Sequence, residues 1–357
     1  MRFFRLLTVL SLLFMLNSCY VVKQGVSLLK YQWRAQSIDK MLQEEDLSAD
    51  LEEFLLLVKE IRSFAMDTLG LKKNNNYTKY VRVDRDYMVD VVVGSRADTF
   101  DTYNWWFPFF GKFPYKGFFN KEDAQKEAEK LHEKGYDVIV RKADAFSTLG
   151  FFSDPVYSFM KDYTVFGLAS LIIHEQMHAT LFVKNEIEFN EELATFVGNE
   201  GGLLFVRKKF GGESDQYRTA VLALKDRETY TDLLRSLYNE LKEMYAQSID
   251  EKQKLERKEK IINKFIENVA SNYDSLFLTE RYKMLGQAKI KINNASLASK
   301  MTYNLDLGLF YELHESRKKD LPTTISELKK LKELKKDHKK YIREVLLKKE
   351  PAQHDSF

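Results

Sequence analysis

A helix-rich α+β fold is what this sequence predicts, and three features carry that expectation. Short β-branched and aromatic runs at 77–93 and 136–141 are bounded by Gly and Asn residues, the signature of brief strands. Longer stretches, above all 204–277, set Leu, Ile, Tyr and Phe at helical intervals among alternating Lys and Glu, which predicts a long helical insertion. At 357 residues, with 44% hydrophobic and 13% aromatic content, the chain can bury a large core, as one elaborate domain or as a core with a helical appendage.

The elements follow in order. Arg2 and Arg5 precede an apolar run from Leu6 to Leu16, too short to span a bilayer comfortably, and Asn17-Ser18-Cys19 ends it; this reads as a processing signal over residues 1–18. Residues 32–42 and 51–69 carry apolar side chains three and four apart, so two helices are expected there, ended by Gly70 and the Asn74-Asn75-Asn76 run. Two short strands fall within 77–93. An aromatic loop is expected around Gly111 and Gly117 from Trp105 to Phe119; its rings form a binding wall or simply pack the core. A charged helix over 121–134 stops at Gly135, and a strand follows at 136–141.

The next segment holds the chemistry. Val165 to Ile173 is apolar enough to be a buried helix, and it leads into His174-Glu175-Gln176-Met177-His178. Residues four apart share a helix face, so His174 and His178 can grip one zinc ion from adjacent turns. Glu175 then stands beside the metal, where its carboxylate can take a proton from the attacking water and pass it to a departing amine. A catalytic zinc site commonly needs a third protein ligand, and Glu191 lies thirteen residues after His178 on what reads as the next helix, with a turn at 184–188 folding it back. The bland reading, a surface helix with two solvated histidines, leaves the apolar lead-in and the second acidic helix unexplained.

The arrangement resembles the gluzincins, the thermolysin and zinc-aminopeptidase group, in which the third ligand is the Glu of an Asn-Glu pair. That implies a zincin-like core and places the ligand at Glu191, following Asn190, ahead of Glu192. More of the chain is similar to a group of bacterial cell-envelope aminopeptidases, through residues 113–119, 135–138, 145–155, the zinc motifs and 292–295. The Gly-x-Met-Glu-Asn element with which well-known zinc aminopeptidases hold the substrate's amino terminus does not occur here, nor does the Cys pair that many members carry near 106–112. Asp144, Asp154 and Glu192 are the acids to inspect for that task. In zincins an edge strand beside the active-site helix pairs with extended substrate; Phe146 to Leu149, with Ser147, Thr148 and Leu149 facing substrate, is the candidate, an ordinary connecting strand being the alternative. Tyr303 is the candidate to stabilise the oxyanion, with Tyr311 the alternative.

Cys19 is the only cysteine, and its setting resembles the lipobox of a bacterial lipoprotein, whose thiol is acylated. A plain secretory signal or an uncleaved anchor is the alternative; all three imply export. After Cys19 the mature fold has no disulfide to draw on. Residues 19–203 are expected to hold the N-terminal helices, small sheet and catalytic core, 204–280 a long helical arm, 281–316 a helix returning to the site, and 317–357 a basic amphipathic tail. From Lys329 to Lys349 the tail has ten Lys or Arg residues against three acids, with Ile325, Leu328, Leu331, Leu334, Ile342 and Val345 on one stripe. Such a tail rests on anionic lipid or packs by its stripe. His132, His314, His338 and His354 lack metal-type spacing. A net charge of +3 gives no direction toward nucleic acid, and none is expected as a partner. The expectation is thus a zinc-dependent peptidase, an aminopeptidase, lipid-anchored through Cys19 at the bacterial cell envelope. Its rivals are an envelope endopeptidase and a non-catalytic scaffold lipoprotein.

Overall fold

The computed structural model describes residues 20, 22–107, 111–144, 153–302, 306–334 and 337–348. In chain order, α1 (22–33) leads to β1 (Gln36–Ser37), α2 (Ile38–Met41) and α3 (Ala49–Ser63), which a π turn extends to Thr68. The strands β2 (Lys79–Val81), β3 (Val89–Arg96), β4 (Trp105–Phe107), β5 (Gly111–Phe113) and β6 (Lys116–Phe118) come next. They are followed by α4 (Lys121–His132), β7 (Tyr136–Ala143), β8 (Val156–Tyr157), α5 (Val165–Thr180) and α6 (Ile187–Phe210). Then come α7 (Asp215–Tyr245), α8 (Glu251–Ser271), α9 (Tyr273–Leu276), α10 (Lys283–Gly286) and α11 (Asn294–Thr302). The last are α12 (Gly308–Ser316), α13 (Leu321–Lys329) and α14 (His338–Tyr341). With 63% of the chain helical beside small sheets, the class is helix-rich α+β, as the sequence predicts.

Local chemistry explains where the helices begin. Side-chain oxygens of Asn120, Thr164, Asp250 and Asp320 accept backbone N–H groups in the first turns of α4, α5, α8 and α13. Gly135, at φ 79°, supplies the left-handed residue that frees the chain from the end of α4 for entry into β7.

The contacts divide the chain into two compact units, neither continuous in sequence. One comprises Met1–Ala35, Val81–Phe152 and Asp226–Thr302. Its centre is β3, paired antiparallel with β7 along its whole length, from Val89 opposite Ala143 to Arg96 opposite Tyr136, and with β6 on the other edge. Val92, Trp105, Phe118, Ala124, Ala128, Leu131 and Val138 bury a cluster between this sheet and α4. A second cluster joins Leu234, Leu237 and Leu241 of α7 to Ile262 of α8. α11 lies on β3 and β7, where Asn294 donates to the carbonyls of Arg96 and Thr99, and its own N–H is held by Asp137.

The other unit comprises Gln36–Tyr80, Ser153–Lys225 and Tyr303–Phe357. Its core is α5 packed along α6, with α3 against α5, and α12 and α13 against α6. The tail packs here by its apolar stripe: Ile325, Leu328, Leu331 and Ile342 are buried.

Four segments depart from the sequence expectations. The helix expected over 32–42 is interrupted at Gln36–Ser37, which pair with Tyr80 and Lys79 as β1, a long-range pairing that helical periodicity does not record. The aromatic stretch 105–119 is not a loop; it forms the β4–β5 hairpin and the edge strand β6, because dense rings and glycines hide a register set by pairing to β3. The stretch 293–314 is not one helix. It divides into α11 and α12, and Asp306, whose Oδ1 accepts from Gly308 N–H, begins the second. Nor is the tail one helix: Asp337, at φ 61°, turns the chain between a 3-10 turn and α14. Among the described residues no helix is long and apolar enough to cross a membrane.

Candidate metal centre

The site is built from α5, the link after it, and α6. Thr164 caps α5, and Thr180 closes it by donating to Gln176 O while accepting Lys72 N–H. The link is held by Asn190: its Oδ1 accepts Val183 N–H at 2.8 Å and its Nδ2 donates to Val183 O at 2.7 Å. This two-point clamp, 2% exposed, fixes the residue immediately before Glu191 to the chain leaving α5. Gly198, Gly201 and Gly202 form the face of α6 that meets α5. An ideal Cβ at Gly198 would sit 2.7 Å from Ser170 O and 3.1 Å from His174 Cβ, so only glycine lets the two backbones approach this closely.

That approach brings three donors together. His174 Nε2 and His178 Nε2 are 3.1 Å apart, and Glu191 oxygens stand 3.7 Å from the first and 3.4 Å from the second. All three residues are partly buried, and among the described residues they form the group with metal-ligand spacing. Their charges are coupled. Burial opposes charge on His178, but the hydrogen bond and charge of Glu191 outweigh it and raise the imidazole's pKa. Burial likewise opposes ionisation of Glu191, and the two imidazoles overcome it and lower its pKa. Nδ1 of His178 is buried with no hydrogen-bond partner among the described residues.

Glu175 lies one residue past His174 and is partly buried. Burial pushes its carboxyl up to about 7; His178 opposes that rise, and the charges of Asp154 and Glu191 add to it. This is the range in which a carboxylate works as a general base near neutral pH.

Two residues stand near Glu175 through pairings distant in sequence. Tyr77 is buried at 4% exposure with φ 58°, a left-handed conformation costly for a bulky side chain, and its N–H donates to Asp154 O at 2.6 Å. The cost is met by a network: Arg62 donates to the carbonyls of Asn74 and Asn76, and Asn76 Oδ1 accepts Asp154 N–H. Burial, then the charges of Glu175 and Asp154, raise the Tyr77 phenol far above its ordinary value, so it remains a hydroxyl donor. The Asp154 carboxyl, also raised by burial, makes no ion pair or hydrogen bond among the described residues. The sequence points to Asp154 among three acids but not to Tyr77; the Asn74-Asn75-Asn76 run before it is the one available signal, and by local pattern that run marks only a helix end.

The remaining candidates fall elsewhere. Glu192, adjacent to Glu191, points away from the donors: it is fully buried, 2.7 Å from Lys339 Nζ, and accepts Asp306 N–H. Asp144 belongs to the other unit. Tyr311 packs edge-on against Phe196. His338 pairs with Glu186, and buried His314 with Thr324. Tyr303, Ser147, Thr148, Leu149, Cys19 and His354 lie outside the described residues.

Fold and site together define a helix-rich α+β protein with a His-His-Glu cluster beside a carboxyl of raised pKa. The model of the family described as "Putative aminopeptidase" matches residues 19–342, and the chain belongs to that family. The membership supports peptidase activity in general. No curated protein and no solved structure matches the chain.

Proposed function

We propose that this protein is a zinc-dependent peptidase with a zincin-like core that removes residues from the amino termini of peptides at the bacterial cell envelope. The observation that carries the reading is the convergence of His174, His178 and Glu191. Ligands about 2.0–2.1 Å from a tetrahedral zinc lie about 3.3 Å from one another. The donor separations of 3.1, 3.4 and 3.7 Å bracket that value, and two neutral imidazoles with one carboxylate suit the ion.

Zinc held there would polarise the scissile carbonyl and acidify water. The protein's own groups do the rest. Glu175 accepts the attacking water's proton and delivers it to the departing amine, a task suited to its raised pKa. Tyr303 is assigned the developing oxyanion, and Tyr77 is a second hydroxyl suited to that role because its phenol stays protonated. Ser147, Thr148 and Leu149 are assigned to pair with the substrate backbone.

Asp154 distinguishes exopeptidase from endopeptidase. Of the three acids named from the sequence, it is the one in the same unit as Glu175 whose carboxyl has no partner among the described residues. A substrate ammonium would supply the missing counter-charge. Export and acylation at Cys19 complete the proposal; the family match begins at residue 19, where cleavage before that cysteine would start the mature chain.

The test is metal analysis of the purified protein with a peptide digest. The parent is expected to hold one zinc per chain and to release amino-terminal residues, and Glu175→Gln to keep the zinc and lose hydrolysis. Acetylating the peptides' amino groups should suppress turnover. Cleavage by Glu175→Gln near the parent rate contradicts the mechanism, and equal cleavage of acetylated peptides at internal bonds assigns an endopeptidase.

A further inference from the structure

Helix α1 is two-faced. At about 100° per residue, Tyr20, Gln24 and Tyr31 fall on one side of the helical wheel. That side is docked: Tyr20 OH donates to Gly117 O, Gln24 Oε1 accepts Phe119 N–H at 3.0 Å, and the Tyr31 ring lies 5.7 Å from Phe119. On the opposite side Val22, Val26, Leu29 and Trp33 fall within about 60° of one another, the spacing of an amphipathic stripe. They are 61%, 46%, 38% and 81% exposed. A helix that has already met its own unit through one face has no core reason to carry four large apolar residues on the other. Contiguous exposed apolar surface marks an interaction site.

We propose that this stripe lies in the interfacial layer of a phospholipid bilayer, holding α1 parallel to the membrane surface. Two observations favour lipid over a protein occupant. The stripe begins three residues after Cys19, so an acyl chain on that thiol enters the bilayer at the stripe's own end; on this point the inference rests on the lipid-anchor reading above. Lys30 borders one edge of the stripe, exposed and without an ion pair among the described residues, placed to meet anionic headgroups, and exposed Arg34 follows just past the end of α1. An apolar stripe with a basic edge adds interfacial contact to whatever attachment the modified Cys19 provides. Trp33, at the stripe's end, is the residue type that favours the membrane–water boundary.

The experiment uses the mature chain from residue 19 carrying Cys19→Ser, which has neither a thiol to acylate nor the apolar signal segment, and vesicles of phosphatidylethanolamine and phosphatidylglycerol. This protein should sediment with the vesicles and its tryptophan emission should shift to the blue. Adding Val26→Ser, Leu29→Ser and Trp33→Ser should weaken partitioning about tenfold or more, a loss within reach of three large apolar side chains. These positions are exposed, so circular dichroism melting, zinc content and hydrolysis of a soluble peptide should stay at parent values, which separates failure at the stripe from failure of the peptidase reading. Intact mass of the unmutated chain reports acylation separately. Equal partitioning with and without the three substitutions overturns the proposal. So does a concentration-dependent dimer that the substitutions dissociate without vesicles, since a second copy would then be the occupant.

Discussion

Gly198→Ala should disable the metal centre without touching a ligand. The added methyl would lie 2.7 Å from the backbone oxygen of Ser170 and 3.1 Å from Cβ of His174, and neither atom is the end of a flexible side chain. Relieving the contact requires α5 and α6 to separate by about 0.5 Å, and such overpacking costs about 1–3 kcal/mol. The ligands ride on the helices that move. His174 and His178 belong to α5, and Glu191 sits two turns before Gly198 on α6. Metal–ligand distances tolerate only about 0.2 Å. Zinc affinity should therefore fall about tenfold or more, as when groups that orient ligands are removed. Gly201→Ala is the control: its Cβ would meet methyl groups of Ile173 and Leu69 at 3.0–3.1 Å, which can turn aside. Zinc titration against a competing chelator, alongside urea unfolding, reads both quantities. Parent-like affinity in Gly198→Ala, or equal losses in both variants, would refute the argument that close helix approach sets the donor spacing.

Other expectations follow from the same unit. Glu191→Ala should lose zinc, whereas Glu192→Ala should keep it and lose about 1–3 kcal/mol of stability by removing the acceptor of the Asp306 N–H and leaving Lys339 with Glu188 alone; equal metal contents would contradict the ligand assignment. Asn190→Asp keeps the acceptor for Val183 N–H but sets a carboxylate oxygen against Val183 O, so the unfolding midpoint should drop by about 1–3 kcal/mol and zinc should bind more weakly; an unchanged midpoint would count against the clamp. Burial holds the His314 imidazole below its ordinary value. The unfolded chain then binds that proton more readily than the folded one, so this contribution is full above about pH 6.5 and declines as pH falls below it toward the folded value. Urea midpoints at about pH 7.5 and 5.5 should show a smaller decline in His314→Asn than in the parent, and identical declines would exclude His314 as a source.

The convergence of His174, His178 and Glu191 is legible in the sequence because its logic is local. Four residues between His174 and His178 is a helical repeat, and thirteen more to Glu191 is a turn and part of the next helix. The position of Tyr77 was not legible. It depends on pairing residue 77 with residue 154 and on bringing both toward residue 175, and no periodicity records such contacts. Asn190 was noticed as the mark of a motif, but its physical task, bonding both backbone groups of Val183, appears only once the link between α5 and α6 is folded. The strands within 105–119 were hidden for the opposite reason: aromatic residues occupy both faces there, so the alternation that marks a half-buried strand is absent. Gly201 and Gly202 stand just before the boundary expected at 203/204, whereas in the fold they lie inside α6, on the face where it meets α5.

Neighbouring residues at the start of α6 face different tasks. Glu191 joins the histidines, while Glu192 is buried against Lys339 and Glu186 bonds His338, both contributed by α14, 147 and 152 residues further along the chain. Until residue 339 has emerged, Glu192 has no cation to neutralise it, and a buried acid in that state disfavours the closed arrangement of α6. A chain truncated before Lys339, even one containing His174, His178 and Glu191, lacks the counter-charge that seats this helix, so the cluster depends on a segment far from it in sequence.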